Sequence, residues 1–147
     1  MPLQLDVVTI ERSVYSASDV DRVVVPGSEG IMVILPRHEP LISSLKEGVL
    51  EIVRGDQREI LAIGGGFIEV RSPQVVVMAD VAEQADEIDV ARAEAARARA
   101  EQAVKEAPSR VDAEEALSAL RRAGVRLEVA KRRRHRGGAG GGVPGGE

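Results

Sequence analysis

The sequence has no cysteine and no tryptophan, one tyrosine (Tyr15), one phenylalanine (Phe67) and two histidines (His38 and His135). Without cysteine there is no disulfide framework, thiolate metal site or cysteine nucleophile. Two rings cannot build the stacking platforms that hold single-stranded nucleic acid. Two histidines so far apart in sequence make a histidine-based metal site a poor fit. No apolar run approaches the roughly 20 residues that a membrane-spanning helix needs. The start, MPLQLDVVTIERS, lacks the basic and apolar regions of a signal peptide. What is present is aliphatic. Of 147 residues, 44% are apolar, so Val, Ile, Leu and Ala must build the core. The length fits one ordinary domain or two small ones.

Charge is divided unevenly. The whole chain has a formal charge of −4. Residues 1–84 hold seven basic and thirteen acidic side chains, net −6. Residues 85–147 hold thirteen basic and eleven acidic ones, net +2. Such asymmetry predicts two parts with different tasks.

The first part reads as strands. Leu3, Leu5 and Val7 alternate with polar residues, the period of a half-buried strand. Val23–Val25 runs into the turn signal Pro26-Gly27, and Ile31–Leu35 stops at Pro36. Further strands are expected at 49–53, 59–63, 67–70 and 75–79. Short strands with turns between them predict an antiparallel β-sandwich or barrel over 1–84.

From residue 85 the composition turns to Ala, Arg and Glu, all strong helix formers. The pattern predicts a helix from Asp86, as N-cap, to Lys105 and a break at Ala107-Pro108-Ser109. A second helix is expected from Asp112, with Glu115 at capping-box spacing. Its expected apolar stripe is Leu117, Leu120, Gly124 and Leu127. The short connection predicts an antiparallel helical hairpin over 85–135, with a thin, alanine-rich interface. Residues 136–147 contain seven glycines in twelve and are expected to be a disordered tail.

Few motifs suggest chemistry. Gly64-Gly65-Gly66 lacks the Lys-Ser/Thr of a phosphate loop and precedes no helix, so a turn or a close backbone approach is expected. His38 has no base, nucleophile or second ligand nearby, and no catalytic constellation stands out. The basic run 131–136 suits a helix C-terminus, a phosphate backbone or an acidic protein surface. The hairpin arginines are more informative. Arg92 and Arg99 share one face of the first helix, and Arg122 and Arg126 share one face of the second. Level in the hairpin, they can gather into an anion site. They can equally pair with Glu94, Glu101 or Glu128 on an exposed face, and spacing alone favours that pairing.

Several motifs together carry a resemblance. They are Pro26-Gly27-x-x-Gly30, Ile34-Leu35-Pro36-x-His38-x-Pro40-Leu41, Gly48, Gly65-Gly66-Phe67-Ile68-Glu69-Val70, and Ala82-Glu83 followed by Glu87-Ile88-Asp89. In this order, over about residues 3–129, they resemble the ε subunit of the F-type H⁺-transporting ATP synthase, bacterial type. Ile10, Val33 and Arg37 depart from the family pattern. The resemblance implies a sandwich of about ten strands and a C-terminal hairpin, the subunit being non-catalytic. It implies a central-stalk rotor subunit that meets the γ subunit and the c-ring, with His38, Glu39 and Pro40 at that contact. It also implies a hairpin that extends towards the α/β ring and blocks ATP hydrolysis. Arg121, Arg122, Lys131, Arg132 and Arg133 would then meet the β subunit.

Some bacterial members of the family bind ATP as a regulatory ligand, with no catalytic cofactor. The implied ATP residues are Glu83, Ile88, Asp89, Arg92, Ala93, Arg99, Arg122 and Arg126, which turns the arginine reading towards nucleotide. No metal and no nucleic acid are implied. Membrane association would come only through the complex, at the cytoplasmic face of the bacterial cell membrane. The alternative of a different class is a stand-alone sandwich with a basic hairpin that binds nucleotide or nucleic acid.

Overall fold

The structure is a computed structural model that describes residues 1–142, with side chains described through Arg132. The chain divides into two compact units between Gln84 and Ala85.

The first unit holds eight strands: β1 Leu3–Val8, β2 Ser13–Val20, β3 Arg22–Gly27, β4 Gly30–Ile34, β5 Leu41–Arg54, β6 Gln57–Arg71, β7 Gln74–Ala79 and β8 Ala82–Gln84. Their order is β2-β1-β7-β6-β5-β3-β4, with β8 paired to β6. The long strands β5 and β6 pair along their whole length and serve both layers of the sandwich. The first part of β5 and the last part of β6 lie next to β7 and β1. Their other parts lie next to β3, β4 and β8.

Alternation builds the core as expected. Leu3, Leu5 and Val7 are fully buried, and so are Leu50, Ile52 and Ile68. Each such side chain contributes about 1.5–3 kcal/mol by leaving water. Among the described residues no polar or charged residue is buried.

Three differences from the sequence expectation have local causes. Eight strands stand where about ten are expected, because β5 and β6 each run unbroken through both layers, and 59–63 and 67–70 are thus one strand. Gly64–Gly66 does not turn the chain; it lets β6 bend while staying paired with β5. Gly66 has φ +120°, and a Cβ there would lie 2.2 Å from the Met78 carbonyl oxygen. No side chain fits, so the close-approach half of the expectation holds and the turn does not. β2 has no clear sequence signal because the apolar residues of Ser13–Val20 do not alternate regularly with its serines and Asp19. Finally, β1 and β7 pair in parallel, a long-range contact that no local pattern encodes.

Arg54 on β5 clasps β2. Its Nε donates to Asp19 Oδ1 at 2.9 Å, its Nη2 to Asp19 Oδ2 at 3.1 Å, and its Nη1 to the Tyr15 hydroxyl at 3.5 Å. Glu59 Oε1 lies 3.6 Å from Nη1. The hydrogen bonds from Arg54 hold the Asp19 carboxyl below its usual range. Burial, then the Glu59 charge, push the Tyr15 hydroxyl up. A depressed carboxyl adds stability above its ordinary value of about 3.9, and that stability is lost as pH falls through the folded value. An NMR titration of Asp19 is expected to show a midpoint below about 3.9, returning towards it in Arg54→Ala.

The second unit is a hairpin of α1 (Val90–Glu106) and α2 (Arg110–Gly142), preceded by a 3₁₀ turn at 85–87. Both helix starts differ by about one turn from expectation. The N-cap of α1 is Asp89, not Asp86, and Asp89 Oδ1 accepts from the Arg92 N–H at 3.1 Å. Asp86 falls in the 3₁₀ turn. At α2 the cap is Ser109. Its Oγ accepts from the Asp112 N–H at 3.1 Å and donates to Asp112 Oδ2 at 2.8 Å. Asp112 therefore closes a capping box from its third position instead of opening one.

The helices meet through alanine. Ala93 and Ala100 on α1 are buried, as are Ala116, Ala123 and Ala130 on α2, each seven residues from the next. With α1 ending at Glu106 and α2 starting at Arg110, Ala93 lies level with Ala123 and Ala100 with Ala116. The expected leucine stripe is displaced. Leu117 is 39% exposed, and Leu120 and Leu127 are half-buried. Methyl groups let the helices come close, and leucine fits only on the flank of such a seam. Four facing methyls contribute about 3 kcal/mol at about 0.8 kcal/mol per buried carbon.

The backbone of α2 stays helical to Gly142, where composition predicts disorder from 136. The basic run 131–136 consists mostly of strong helix formers, which carry the helix that far, but the five glycines of 137–142 do not account for its continuation. Residues 143–147 of the expected tail lie outside the described residues.

Candidate functional site

The helix geometry decides where the arginines point. At about 100° per residue, Arg92 and Arg99 lie about 100–120° to one side of the Ala93–Ala100 seam. Arg122 and Arg126 lie about 80–120° to the same rotational side of the Ala116–Ala123 seam. In antiparallel helices, equal rotation puts both sets on one side of the hairpin. Arg92 is level with residue 124, between Arg122 and Arg126, and Arg99 is about two turns nearer the loop. The four guanidinium groups thus share one face.

Two of the three carboxylates named as competitors have other partners. Glu101 pairs with Arg97 at 3.9 Å, and Glu128 pairs with Arg132 one turn on. Arg122 donates to the neutral Ser118 hydroxyl at 2.8 Å, a contact that leaves its positive charge uncancelled. Arg92, Arg99 and Arg122 are exposed, and Arg126 is half-buried. On the same face, towards the loop, lies an open groove of about 520 Å³ lined by Ala103, Asp112, Glu115, Ala116, Ser118 and Arg122. It has an acidic end at Asp112 and Glu115 and a basic end at Arg122.

The Ile88-Asp89-x-x-Arg92-Ala93 motif separates by role. Ile88 is buried, Asp89 caps α1 and Ala93 is fully buried in the seam. Local folding accounts for these three but does not call for the Arg92 side chain. Glu83 lies on β8 opposite Ala62, in the sandwich unit.

The connection 35–40 follows β4. Arg37 has φ +70°, and the His38 N–H donates to the Leu35 carbonyl at 3.1 Å. His38 Nδ1 donates to the Glu39 carbonyl at 2.8 Å, and Ser72 Oγ donates to the His38 carbonyl at 2.8 Å. These bonds make His38 part of the turn's framework. Glu39 and Pro40 stay exposed. The turn is flanked by exposed Ile31, Val33, Leu35 and Ile42. Phe67 and Met78, paired across β6 and β7, are exposed too. Such apolar surface marks protein contacts. One sign of it is legible in the sequence: in Phe67-Ile68 one of two adjacent apolar residues must point outward. Of the basic residues on α2, Arg121, Lys131 and Arg132 are exposed, and the Arg133 side chain lies outside the described residues.

Two family models match the chain. The ATP synthase delta/epsilon chain beta-sandwich domain covers residues 2–85, and the long alpha-helix domain covers 86–131. The chain belongs to the ATP synthase delta/epsilon chain family, and its kind of subunit is non-catalytic. It is 52% identical to the ATP synthase epsilon chain of Herpetosiphon aurantiacus over 136 residues, 92% of this chain and 99% of that one. It is 52% identical to the epsilon chain of Dehalococcoides mccartyi over 134 residues, 90% and 94% of the two chains. A chain in the Euglena gracilis mitochondrial ATP synthase (OSCP/F1/c-ring) shares the fold, with TM-score 0.74 at 23% identity over 88% of this chain and 81% of that one. No helix among the described residues is long and apolar enough to cross a membrane.

Proposed function

We propose that the chain is a central-stalk rotor subunit of the F-type ATP synthase whose hairpin is an ATP-responsive brake on hydrolysis. The observation that supports this most is the gathering of Arg92, Arg99, Arg122 and Arg126 on one face of a thinly packed hairpin. Guanidinium groups on one face suit a polyanion, because each binds phosphate through paired, charge-assisted hydrogen bonds. ATP supplies those phosphates. Its phosphates go to the Arg92, Arg122 and Arg126 end, because Asp112 and Glu115 repel them from the other. Asp89 spends one carboxylate oxygen on the cap and has the other to accept from the nucleoside or to orient arginines.

ATP at 100 times its dissociation constant stabilises the binding state by about 2.7 kcal/mol. That matches the roughly 3 kcal/mol of the alanine seam, so nucleotide level can decide the hairpin's state. When ATP falls, the hairpin extends towards the α/β ring. Arg121, Arg122, Lys131, Arg132 and Arg133 then meet acidic residues of the β subunit. The apolar surface around His38, Glu39 and Pro40 fits a contact with γ and the c-ring. Through those partners the chain would sit at the cytoplasmic face of the bacterial cell membrane and couple proton flow to synthesis. Isothermal titration of the free chain tests the ligand step. Saturable heat at one ATP per chain is expected, and no heat at millimolar ATP rejects it.

A further inference from the structure

The strand β2 carries a bulge where it pairs with β1: Val8 faces Ser13 and Val7 faces Tyr15, so Val14 has no partner of its own in the ladder. Val14 is 6% exposed, and a buried carbonyl at such a place needs a donor from elsewhere. The donor is the side chain of Gln84, whose Nε2 reaches the Val14 carbonyl at 2.9 Å across 70 residues of sequence. Gln84 is the last residue of β8 and of the sandwich unit. β8 has only three residues and pairs with β6 alone, through Ala82, Glu83 and Gln84. So short a strand needs a second attachment to stay ordered at its end.

We propose that Gln84 is a positioning residue, a pin that fixes where the sandwich ends and the movable arm begins. Residues up to 84 are held by the β6 ladder and by the Val14 bond. From Ala85 the chain enters a single 3₁₀ turn, closed by the Ile88 N–H to the Ala85 carbonyl at 3.3 Å. One short turn, with Ala85 and Ile88 buried, lies between the pin and the Asp89 cap of α1. Rotation of the arm is thereby confined to residues 85–88, and the β8 ladder is spared. This rests on the reading of the hairpin as a moving arm, but it concerns the hinge and not the ligand.

The test is amide hydrogen exchange on the full chain without nucleotide, so its result is independent of ATP binding. Gln84→Ala and Gln84→Glu both remove the donor, and the second keeps the shape. Exchange at 82–84 is expected to rise about tenfold in both, the equivalent of one lost hydrogen bond. Amides of β3, β5 and β7 are expected to be unchanged. Unchanged exchange at 82–84 in either variant overturns the proposal. So does a rise spread over the whole sandwich, which would make Gln84 a general stability residue.

Discussion

Arg92→Ala is expected to weaken ATP binding to the free chain about a hundredfold in isothermal titration. A hydrogen bond to a charged group is worth about 1.5–3 kcal/mol, and 1.4 kcal/mol is tenfold in affinity. Arg92 faces the gap between Arg122 and Arg126, so its loss removes the middle of the cluster. The fold should not suffer. Only the main-chain N–H of Arg92 takes part in the Asp89 cap, and its side chain is exposed. Arg58→Ala is the control. Arg58 lies on β6, 3.6 Å from Glu51, and its loss should leave ATP binding unchanged. Equal loss in both variants would mean that ATP binds by general charge and not at this face.

Truncation after Gln84 is expected to raise ATP hydrolysis by the assembled complex on the order of tenfold at low ATP. The sandwich should fold without the hairpin, because its core residues all lie between Leu3 and Ala82. The raised rate follows if the extended hairpin is the block that the truncation removes. A folded 1–84 fragment that joins the complex without changing hydrolysis would assign the brake elsewhere. At high ATP the two complexes should differ less, since the intact arm is then held down.

Much of the fold was legible because it rests on period. Leu3, Leu5 and Val7 alternate cleanly, and their burial follows. Alternation also marks Val49–Val53, and Val75–Ala79 is a short apolar run rich in valine. Where pattern is weak, the sequence misleads. Ser13–Val20 lacks the regular alternation that marks a strand, yet pairing with β1 and the Arg54 clasp make it one. Gly64–Gly66 reads as punctuation, but here it allows a bend against Met78 and Ala79. Each helix start lies about three residues from its expected place because two residues able to cap stand there, Asp86 and Asp89 at α1 and Ser109 and Asp112 at α2. Ser109 prevails over Asp112 since its hydroxyl and the Asp112 carboxylate bond each other. The seam was misplaced because leucine draws attention as the larger apolar residue. Ala116 and Ala123, which can let the helices touch, carry the contact. The arginine face was readable in part. Spacing gave the shared faces on each helix, and only the hairpin's handedness places both on one side. The Gln84–Val14 bond left no mark in the sequence, since it depends on a bulge 70 residues away.

The most direct measurement uses the absence of cysteine. Cysteines introduced by Asp56→Cys in the β5–β6 turn and Pro108→Cys in the hairpin loop can carry a donor–acceptor pair. Energy transfer would be recorded in the assembled complex as ATP is varied. The predicted result is two distance populations whose ratio shifts with ATP, an effect that Arg92→Ala displaces to higher ATP. A single population that ignores ATP at every concentration would contradict the account.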